Sequence, residues 1–248
     1  MSKIYEALQH AHREKKSSPE PQIHEEDSLL QANLDLEDKM LSLYKVVESK
    51  LPQLPKKIIQ FIGSREGEGT STIVNEFARV AATRIDKSVL LLDADRHRPI
   101  GSRNYPVKTE YSWIEALRSN KPLDKALYRI GLSNLYISPS CNSAMSTPEI
   151  FDSTRILNLW EQLKQRFDII LVDSPPLAQS PDGLAIASKV DGVLLVLEAE
   201  KTRWQAAKEA KEQITNIGGK VIGIVFNKRR YYIPNLLYRL LYQGTIWT

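Results

Sequence analysis

Residues 57–227 alternate between short, continuously apolar runs and longer stretches in which apolar residues recur with helical spacing. Runs such as "VLLL", "IILV" and "GVLLVL" are typical of parallel strands that are buried on both faces between layers of helices. The alternation predicts an α/β fold with a doubly wound, mostly parallel sheet flanked by helices. The predicted strands cover Lys57–Ile62, Ser88–Asp93, Leu135–Ser138, Ile169–Asp173, Gly192–Glu198 and Val221–Asn227. The predicted helices cover Ser71–Ile85, Thr154–Arg166, Pro181–Lys189 and Thr202–Ile217.

The two ends of the chain have a different composition from this central part. Ile4, Leu8 and Ala11 have the spacing of an amphipathic helix, whereas "KKSSPEPQIHEED" is polar and contains two prolines, as flexible linkers do. A further helix is predicted over Leu34–Leu51, before Pro52. We predict four segments, in order: an N-terminal helical arm over 1–16, a linker over 17–33, an α/β domain over 34–235 and a basic, aromatic tail over 236–248.

Charge, cysteine content and hydropathy restrict the cellular setting. The net charge of +4 is modest, so composition does not indicate a nucleic-acid partner. A single cysteine, Cys141, allows no internal disulfide and fits a reducing compartment. No apolar run approaches the roughly 18–20 residues that cross a bilayer. We therefore expect a cytoplasmic protein without a transmembrane segment, whose membrane contacts would be peripheral, at the inner face of the plasma membrane.

The first predicted strand leads into a glycine-rich loop that matches most of the phosphate-loop pattern G-x-x-x-x-G-K-[ST]. Gly67 and Gly69 permit close backbone approach, and Ser71 is placed to offer Mg²⁺ a hydroxyl. Two defining positions differ, because Ser64 stands at the first glycine and Thr70 stands at the lysine. Taken alone, the loop is equally consistent with a turn that binds nothing.

Carboxylates follow two other predicted strands directly. "SVLLLDADRHRP" brings Asp93 and Asp95 to the end of one apolar strand, and "FDIILVDSPP" brings Asp173 to the end of another. Open α/β sheets bind ligands at the carboxyl ends of their strands, where a terminal aspartate can hold Mg²⁺ through water. A loop of solvated charges is the alternative. The loop and the aspartates together favour a nucleotide–Mg²⁺ site.

These segments, with "DGLAIASKVDGVLLVLEAEKTR" and "VIGIVFNKRR", occur in the order and spacing of the bacterial tyrosine kinase family. The chain resembles these cytoplasmic autokinases of capsule and exopolysaccharide export over about residues 40–235. They belong to the P-loop ATPases that include plasmid-partition and septum-positioning proteins. The double aspartate followed by Arg98 and Pro99 is the most specific element of the resemblance.

The resemblance implies a P-loop NTPase fold, ATP or ADP with Mg²⁺ as cofactors, and a role for each motif residue. Ser71, Asp93 and Asp173 would hold the metal, and Asp93 and Asp95 would orient the attacking hydroxyl, one of them as general base. Asn227 would meet the adenine edge. A membrane polysaccharide co-polymerase is the implied partner, and a homo-oligomer is compatible with the family. The phosphate-binding residues would be Gly67, Glu68, Gly69, Thr70, Ser71 and Thr72.

Thr70 is the departure that bears most on activity. It carries no charge, and losing a charged transition-state contact costs on the order of 10²–10³ in rate. We therefore predict weak or absent phosphoryl transfer with nucleotide binding retained. Arg65 occupies the position of the additional signature lysine of the partition ATPases, so it could reach phosphate as a substitute. A solvated loop arginine is the alternative.

Two further departures concern assembly and autophosphorylation. The family's Glu-x-x-Arg-x-x-Arg helix, used in ring assembly, corresponds here to Ser42, Lys45 and Glu48, of which one keeps its charge. The tail tyrosines are interleaved with leucines, which favours packing over phosphorylation, and Tyr231 and Tyr232 are the better acceptors.

Three functions therefore stay open. The first is a non-catalytic nucleotide-binding regulator, the second is an active tyrosine autokinase, and the third is a positioning-type ATPase that uses Arg65.

Overall fold

The computed structural model describes residues 25–95, 109–140, 151 and 154–229. The predicted helical arm over 1–16, the first part of the predicted linker and the aromatic tail over 236–248 lie outside the described residues, and so do Tyr231 and Tyr232. The boundaries of the four predicted segments stay a prediction. Among the described residues, no helix is both long enough and apolar enough to span a bilayer.

The described residues form a seven-stranded sheet in the order β3-β4-β2-β5-β1-β6-β7. All neighbouring strands pair in parallel except β3 and β4, which are antiparallel. This arrangement confirms the predicted doubly wound, mostly parallel α/β fold. The strands are β1 (Lys57–Gly63), β2 (Val89–Asp93), β3 (Tyr128–Arg129), β4 (Leu135–Ser138), β5 (Ile169–Asp173), β6 (Gly192–Glu198) and β7 (Val221–Asn227). The helices are α1 (Glu25–Lys50), α2 (Thr70–Thr83), α3 (Trp113–Ser119), α4 (Thr154–Arg166), α5 (Asp182–Ala187) and α6 (Trp204–Asn216), with a 3₁₀ turn at Leu123–Ala126.

The first helix is longer than predicted. It begins at Glu25 rather than Leu34, so the end of the segment predicted as linker is helical. The physical reason is that "EEDSLLQANLDLEDKM" contains no proline or glycine, and its leucines and acidic residues suit a helix once the chain has passed Pro21. The part of α1 up to Lys39 belongs to one compact unit of the chain, and the other described residues belong to the second.

The sheet is covered by different helices on its two faces, because successive side chains of a strand point to opposite sides. On one face, Phe61 of β1 packs against Phe77 of α2 at 5.5 Å between ring centroids, and Tyr44 of α1 stacks on Phe77. On the other face, Ile58 belongs to a cluster with residues of α3 and α4, and Ile62 belongs to a cluster with residues of α6. The continuous burial of β1, β2 and β5 follows from these two layers.

An ion pair between a buried lysine and a part-exposed glutamate joins the start of β1 to the last turns of α1. Lys57 is only 4% exposed, and its ammonium lies 3.0 Å from a carboxylate oxygen of Glu48. The carboxylate compensates a charge that would be costly to bury alone. Glu48, one of the three positions compared with the ring-assembly helix, therefore has a partner within its own chain.

The strand register brings the chemistry-bearing strand ends together. The Cα atom of Asp173 in β5 lies opposite that of Asp93 in β2 on one side and that of Phe61 in β1 on the other. Because these strands are parallel, their carboxyl ends meet at one edge of the sheet. The loop after β1 and the carboxylates after β2 and β5 are thus neighbours.

Candidate nucleotide site

The loop after β1 ends in a helix whose N-terminus carries no side-chain cap. Gly67 and Gly69 have φ values of 85° and 87°, in the left-handed region that glycine tolerates. Gly69 is the N-cap of α2, and the first helical bond runs from the Ile73 N–H to the Gly69 carbonyl. The N–H groups of the first turn of α2, before Ile73, therefore have no intrahelical partner. The positive end of the helix dipole lies at the same end of the helix. Such an end suits a phosphate.

Glu68 holds the loop from the inside. Its side chain is almost fully buried, and its carboxylate accepts hydrogen bonds from the Ser64 N–H at 2.6 Å and the Arg65 N–H at 3.0 Å. The hydroxyls of Ser64 and Thr202 also donate to it, at 2.8 and 2.6 Å. The Glu68 side chain thus joins the loop to the segment after β6. The side chain braces the loop, and the phosphate contact predicted for Glu68 stays a prediction.

The end of β7 is also tied to the loop. The Asn227 side-chain amide donates to the Glu68 carbonyl at 2.9 Å, and its oxygen accepts from the Lys228 N–H at 2.8 Å. The Lys228 ammonium donates to the Gly67 carbonyl at 2.5 Å. Both polar atoms of the Asn227 side chain are therefore engaged within the protein. The adenine contact predicted for Asn227 stays a prediction.

A cavity of about 370 Å³ opens over the loop. This volume lies within the usual range of about 300–1,000 Å³ for small-molecule sites. The cavity brings together eight residues predicted for the site, and Ser174, Pro176, Gln179 and Lys228 also line it. The predicted residues that line it are Arg65, Gly67, Glu68, Gly69, Thr70, Ser71, Thr72 and Asp95.

Thr70 presents a hydroxyl to the end of β1. A Cβ atom built on Gly63 would lie 2.9 Å from the Thr70 hydroxyl oxygen, so Thr70 and Gly63 are in close approach. The side chain at this position of the pattern is therefore short and uncharged, and it is directed back to the base of the loop. It cannot place a positive charge beside the phosphates, as the lysine of the pattern would.

Asp173 is bonded to the loop helix through Ser71. The Ser71 hydroxyl donates to one carboxylate oxygen of Asp173 at 2.7 Å, and the other oxygen, Oδ1, is buried without a hydrogen-bond partner. Burial raises the pKa of Asp173 well above its usual range, and the neighbouring charges of Asp93 and then Asp95 raise it further. A buried, unsatisfied carboxylate among like charges is an environment that a cation would relieve.

Asp93, the last residue of β2, and Asp95, which closely follows it, are held by a backbone hydrogen bond and by a side chain of α3. The Asp95 N–H donates to Asp93 Oδ1 at 2.9 Å, and the indole N–H of Trp113 donates to the Asp93 carbonyl at 2.8 Å.

In the described part of the chain, no group of three histidine, cysteine or acidic side chains could enclose a metal ion. Mg²⁺ prefers few protein ligands and takes the rest from phosphate and water, so Ser71 and Asp173 fit it.

The segment after β5 is positioned by a buried glutamine. The Gln60 amide, in β1, donates to the Ser174 hydroxyl and to the Gly183 carbonyl, both at 2.7 Å. Gln60 therefore fixes the wall of the cavity that Ser174 lines. Gln60 was not predicted as a site residue, although a glutamine within the apolar run "KIIQFI" is a signal for a buried polar contact.

Arg65 is exposed and lies at the mouth of the cavity. It also lines a second cavity of about 260 Å³ with Ala206 and Glu209 of α6. Its backbone N–H is bound to Glu68, so the loop fixes its Cα while the guanidinium reaches solvent. Arg65 was predicted for the site from the sequence, whereas Lys228 and Thr202 were not, because they approach the loop only through the tertiary fold.

The family comparison agrees with this geometry. A family model described as "Cellulose biosynthesis protein BcsQ" matches residues 56–214, more than half of the chain. Tyrosine-protein kinase CpsD of Streptococcus agalactiae is 29% identical over 173 residues, which cover 69% of this chain and 75% of CpsD. The chain belongs to the family of that model, the BcsQ-like P-loop ATPases, and among the curated proteins it resembles bacterial tyrosine kinases. The resemblance predicted from the sequence is confirmed.

Solved structures support the P-loop ATPase fold of this chain. The VpsO kinase domain aligns with a TM-score of 0.70 and 22% identity, covering 82% of this chain and 98% of that domain. An ATP complex of McdA from Cyanothece aligns with a TM-score of 0.60 and 18% identity, covering 70% of each chain. At these identities the likeness establishes the fold alone.

Proposed function

We propose that this chain binds ATP or ADP with Mg²⁺ and regulates an exopolysaccharide or capsule polymerisation and export system, with weak or absent phosphoryl transfer. The observation that carries the proposal is the uncharged Thr70 at the lysine position of a loop whose two glycines, helix N-terminus and Ser71 are in place. Nucleotide would then act as a conformational ligand. Its presence or absence would change how the protein docks on its partner.

Binding is supported by the parts of the site that do not depend on the lysine. The uncapped N-terminus of α2 offers N–H groups between Gly69 and Thr72, and Gly67 and Gly69 leave the backbone open to phosphate. Ser71 and Asp173 would hold Mg²⁺, and Asp93 lies beside them in the register. The metal would supply positive charge to the phosphates. Glu68 would keep the loop in its cradle shape.

Weak transfer follows from the charge that Thr70 lacks. Phosphoryl transfer depends on positioning and on neutralising charge on the transferred group. The loss of one such contact corresponds to about 2.7–4 kcal/mol, or about 10²–10³ in rate. Thr70 can donate one neutral hydrogen bond. Nothing in its position near Gly63 restores the missing charge.

Two other functions are each favoured by a specific observation. Asp93, Asp95 and Asp173 meet at one sheet edge, so an active tyrosine autokinase retains its acidic residues, with Asp93 or Asp95 as the base. Arg65 lines the cavity, so a positioning-type ATPase could use its guanidinium on phosphate. Each alternative requires catalytic turnover of ATP, which the first proposal does not require.

The proposed partner is a membrane polysaccharide co-polymerase. Relatives of this chain carry the names of tyrosine-protein kinases CpsD, CapB and EpsB, and the resemblance places such kinases in capsule and exopolysaccharide export. We propose that the chain works at the inner face of the plasma membrane, through that partner. The assembly could include further copies of the chain.

One set of variants tests the proposal. Purified wild type, Thr70→Lys, Thr70→Ser, Asp93→Ala and Arg65→Ala are given Mg²⁺ and γ-labelled ATP, and bound nucleotide, phosphotyrosine and released phosphate are measured. We expect wild type and Thr70→Ser to bind without label and Thr70→Lys to gain transfer. Thr70→Ser is the matched control because it keeps an uncharged hydroxyl.

Three results contradict the proposal in different ways. Phosphotyrosine on wild type that disappears in Asp93→Ala would establish the autokinase. Steady ATP hydrolysis without phosphotyrosine, lost in Arg65→Ala, would establish the positioning-type ATPase. If wild type binds no nucleotide at millimolar concentration, the proposal that this cavity is a nucleotide site is refuted.

A further inference from the structure

Lys228 brings a positive charge to the loop from the far end of the chain. It directly follows β7, and its ammonium donates to the Gly67 carbonyl at 2.5 Å. The same residue lines the cavity that Thr70 and Ser71 line. The ammonium also lies 3.6 Å from a carboxylate oxygen of Glu198, which is a looser contact. The charge that the phosphate-loop pattern places at position 70 is therefore present nearby.

The backbone around Lys228 is held in a defined position. Its φ of 56° is unusual for a residue with a side chain, and its N–H donates to the Asn227 oxygen at 2.8 Å. Asn227 in turn donates to the Glu68 carbonyl. Two consecutive residues of one segment thus bind two consecutive carbonyls of the loop. This pairing directs the lysine stem along the loop.

We propose that the Lys228 ammonium binds phosphate oxygens of the bound nucleotide, and so supplies for binding, though not for transfer, the positive charge that Thr70 lacks. This inference rests on the nucleotide binding proposed above. An ammonium has three N–H donors, and the Gly67 carbonyl takes one of them. The remaining donors can meet a phosphate in the cavity while the bond to Gly67 persists. The four-carbon stem lets the group adjust by small rotations.

The inference is distinct from a purely structural tie between β7 and the loop. If Lys228 only ties β7 to the loop, its removal would weaken nucleotide binding by changing the shape of the loop. Only a hydrogen-bond donor at position 228 could then restore the binding. A phosphate contact depends on positive charge in the cavity, whichever residue supplies it. An ammonium introduced at position 70 therefore separates the two roles.

The test measures the dissociation constants of Mg–ATP and Mg–ADP by calorimetry, with the melting temperature of each nucleotide-free variant. Lys228→Gln should weaken both nucleotides by about ten- to a hundred-fold, the range for a lost hydrogen bond to a charged group. Adding Thr70→Lys to Lys228→Gln should restore most of the affinity. Lys201→Gln is the matched control, because Lys201 contacts the same Glu198 carboxylate but does not line the cavity.

Each other outcome overturns the inference. Unchanged affinity in Lys228→Gln would show that the ammonium does not touch phosphate. Weakened affinity that Thr70→Lys does not restore, with a lower melting temperature, would make Lys228 a structural tie. An equal loss in Lys201→Gln would assign the effect to Glu198. Wild type that binds neither nucleotide would refute the proposed function itself, and this inference with it.

Discussion

Replacing Gly69 by alanine should destabilise the protein more than the same change at Gly67, although both glycines have nearly the same φ. The φ values are 87° and 85°. A Cβ atom on Gly69 would lie 2.2 Å from the side-chain nitrogen of Asn227, whereas nothing lies within 4 Å of a Cβ atom on Gly67. The two substitutions thus share the backbone strain and differ in the clash.

The magnitude can be worked out from these two contributions. A side chain forced into the left-handed region costs about 1–2 kcal/mol. The clash must move Asn227, which loses its bond to the Glu68 carbonyl and costs about 0.5–1.5 kcal/mol more. We therefore expect Gly67→Ala to lower the free energy of unfolding by about 1–2 kcal/mol and Gly69→Ala by about 1.5–3.5 kcal/mol.

Urea unfolding followed by tryptophan fluorescence measures these free energies. A double-mutant cycle with Asn227→Ala isolates the clash, because removal of the amide leaves Gly69→Ala with the strain alone. In that background the two glycine substitutions should cost the same. If Gly69→Ala and Gly67→Ala are equally destabilising in the wild-type background, the close approach of Asn227 does not constrain position 69 and the reasoning fails.

Three further substitutions test the carboxylate site and the first helix. Burial and the Asp93 charge raise the pKa of Asp173. The folded nucleotide-free protein therefore keeps a proton that the unfolded chain releases above pH about 4. The free energy of unfolding falls as the pH rises from about 4 toward the raised pKa. Asp173→Asn should therefore be more stable than wild type at pH 7 in urea unfolding, and the difference should vanish near pH 3–4, about the unfolded pKa; a difference that persists there would contradict the cause. Ser71→Ala removes the proposed metal hydroxyl, so added Mg²⁺ should no longer tighten ATP binding in calorimetry, and undiminished tightening would exclude Ser71 as a ligand. Glu48→Gln leaves the buried Lys57 without its carboxylate and should cost about 1–3 kcal/mol in the same unfolding assay, whereas no loss would show that solvent already compensates the ammonium.

The sequence predicted the elements whose burial is unambiguous. Strands such as Ile169–Asp173 and Gly192–Glu198 have the predicted bounds, because a continuous apolar run must lie between two layers. The antiparallel strand Tyr128–Arg129 was missed, since two exposed residues carry no periodic signal. Trp113–Ser119 was also missed, because a seven-residue helix is shorter than the patterns that identify helices.

The candidate site divides in the same way. The glycines, Thr70 and the strand-terminal aspartates follow from local motifs, because each motif places its residues at the end of its own strand. The hydrogen bonds that brace the loop do not follow from local motifs. Glu68 contacts Thr202, and Asn227 contacts Glu68, across more than a hundred residues of chain. No local pattern encodes such a contact.

The sequence by itself determined that the chain forms a parallel α/β sheet with a phosphate-type loop, and that this loop lacks its lysine. Both follow from residue type and spacing, which act over a few neighbours. Only the tertiary structure decided that Asp173 is buried against Ser71 and that Lys228 lies on the loop. The physical reason is that the order of strands in the sheet brings β5 and β6 to either side of β1, with β7 beyond β6, however far apart they lie along the chain.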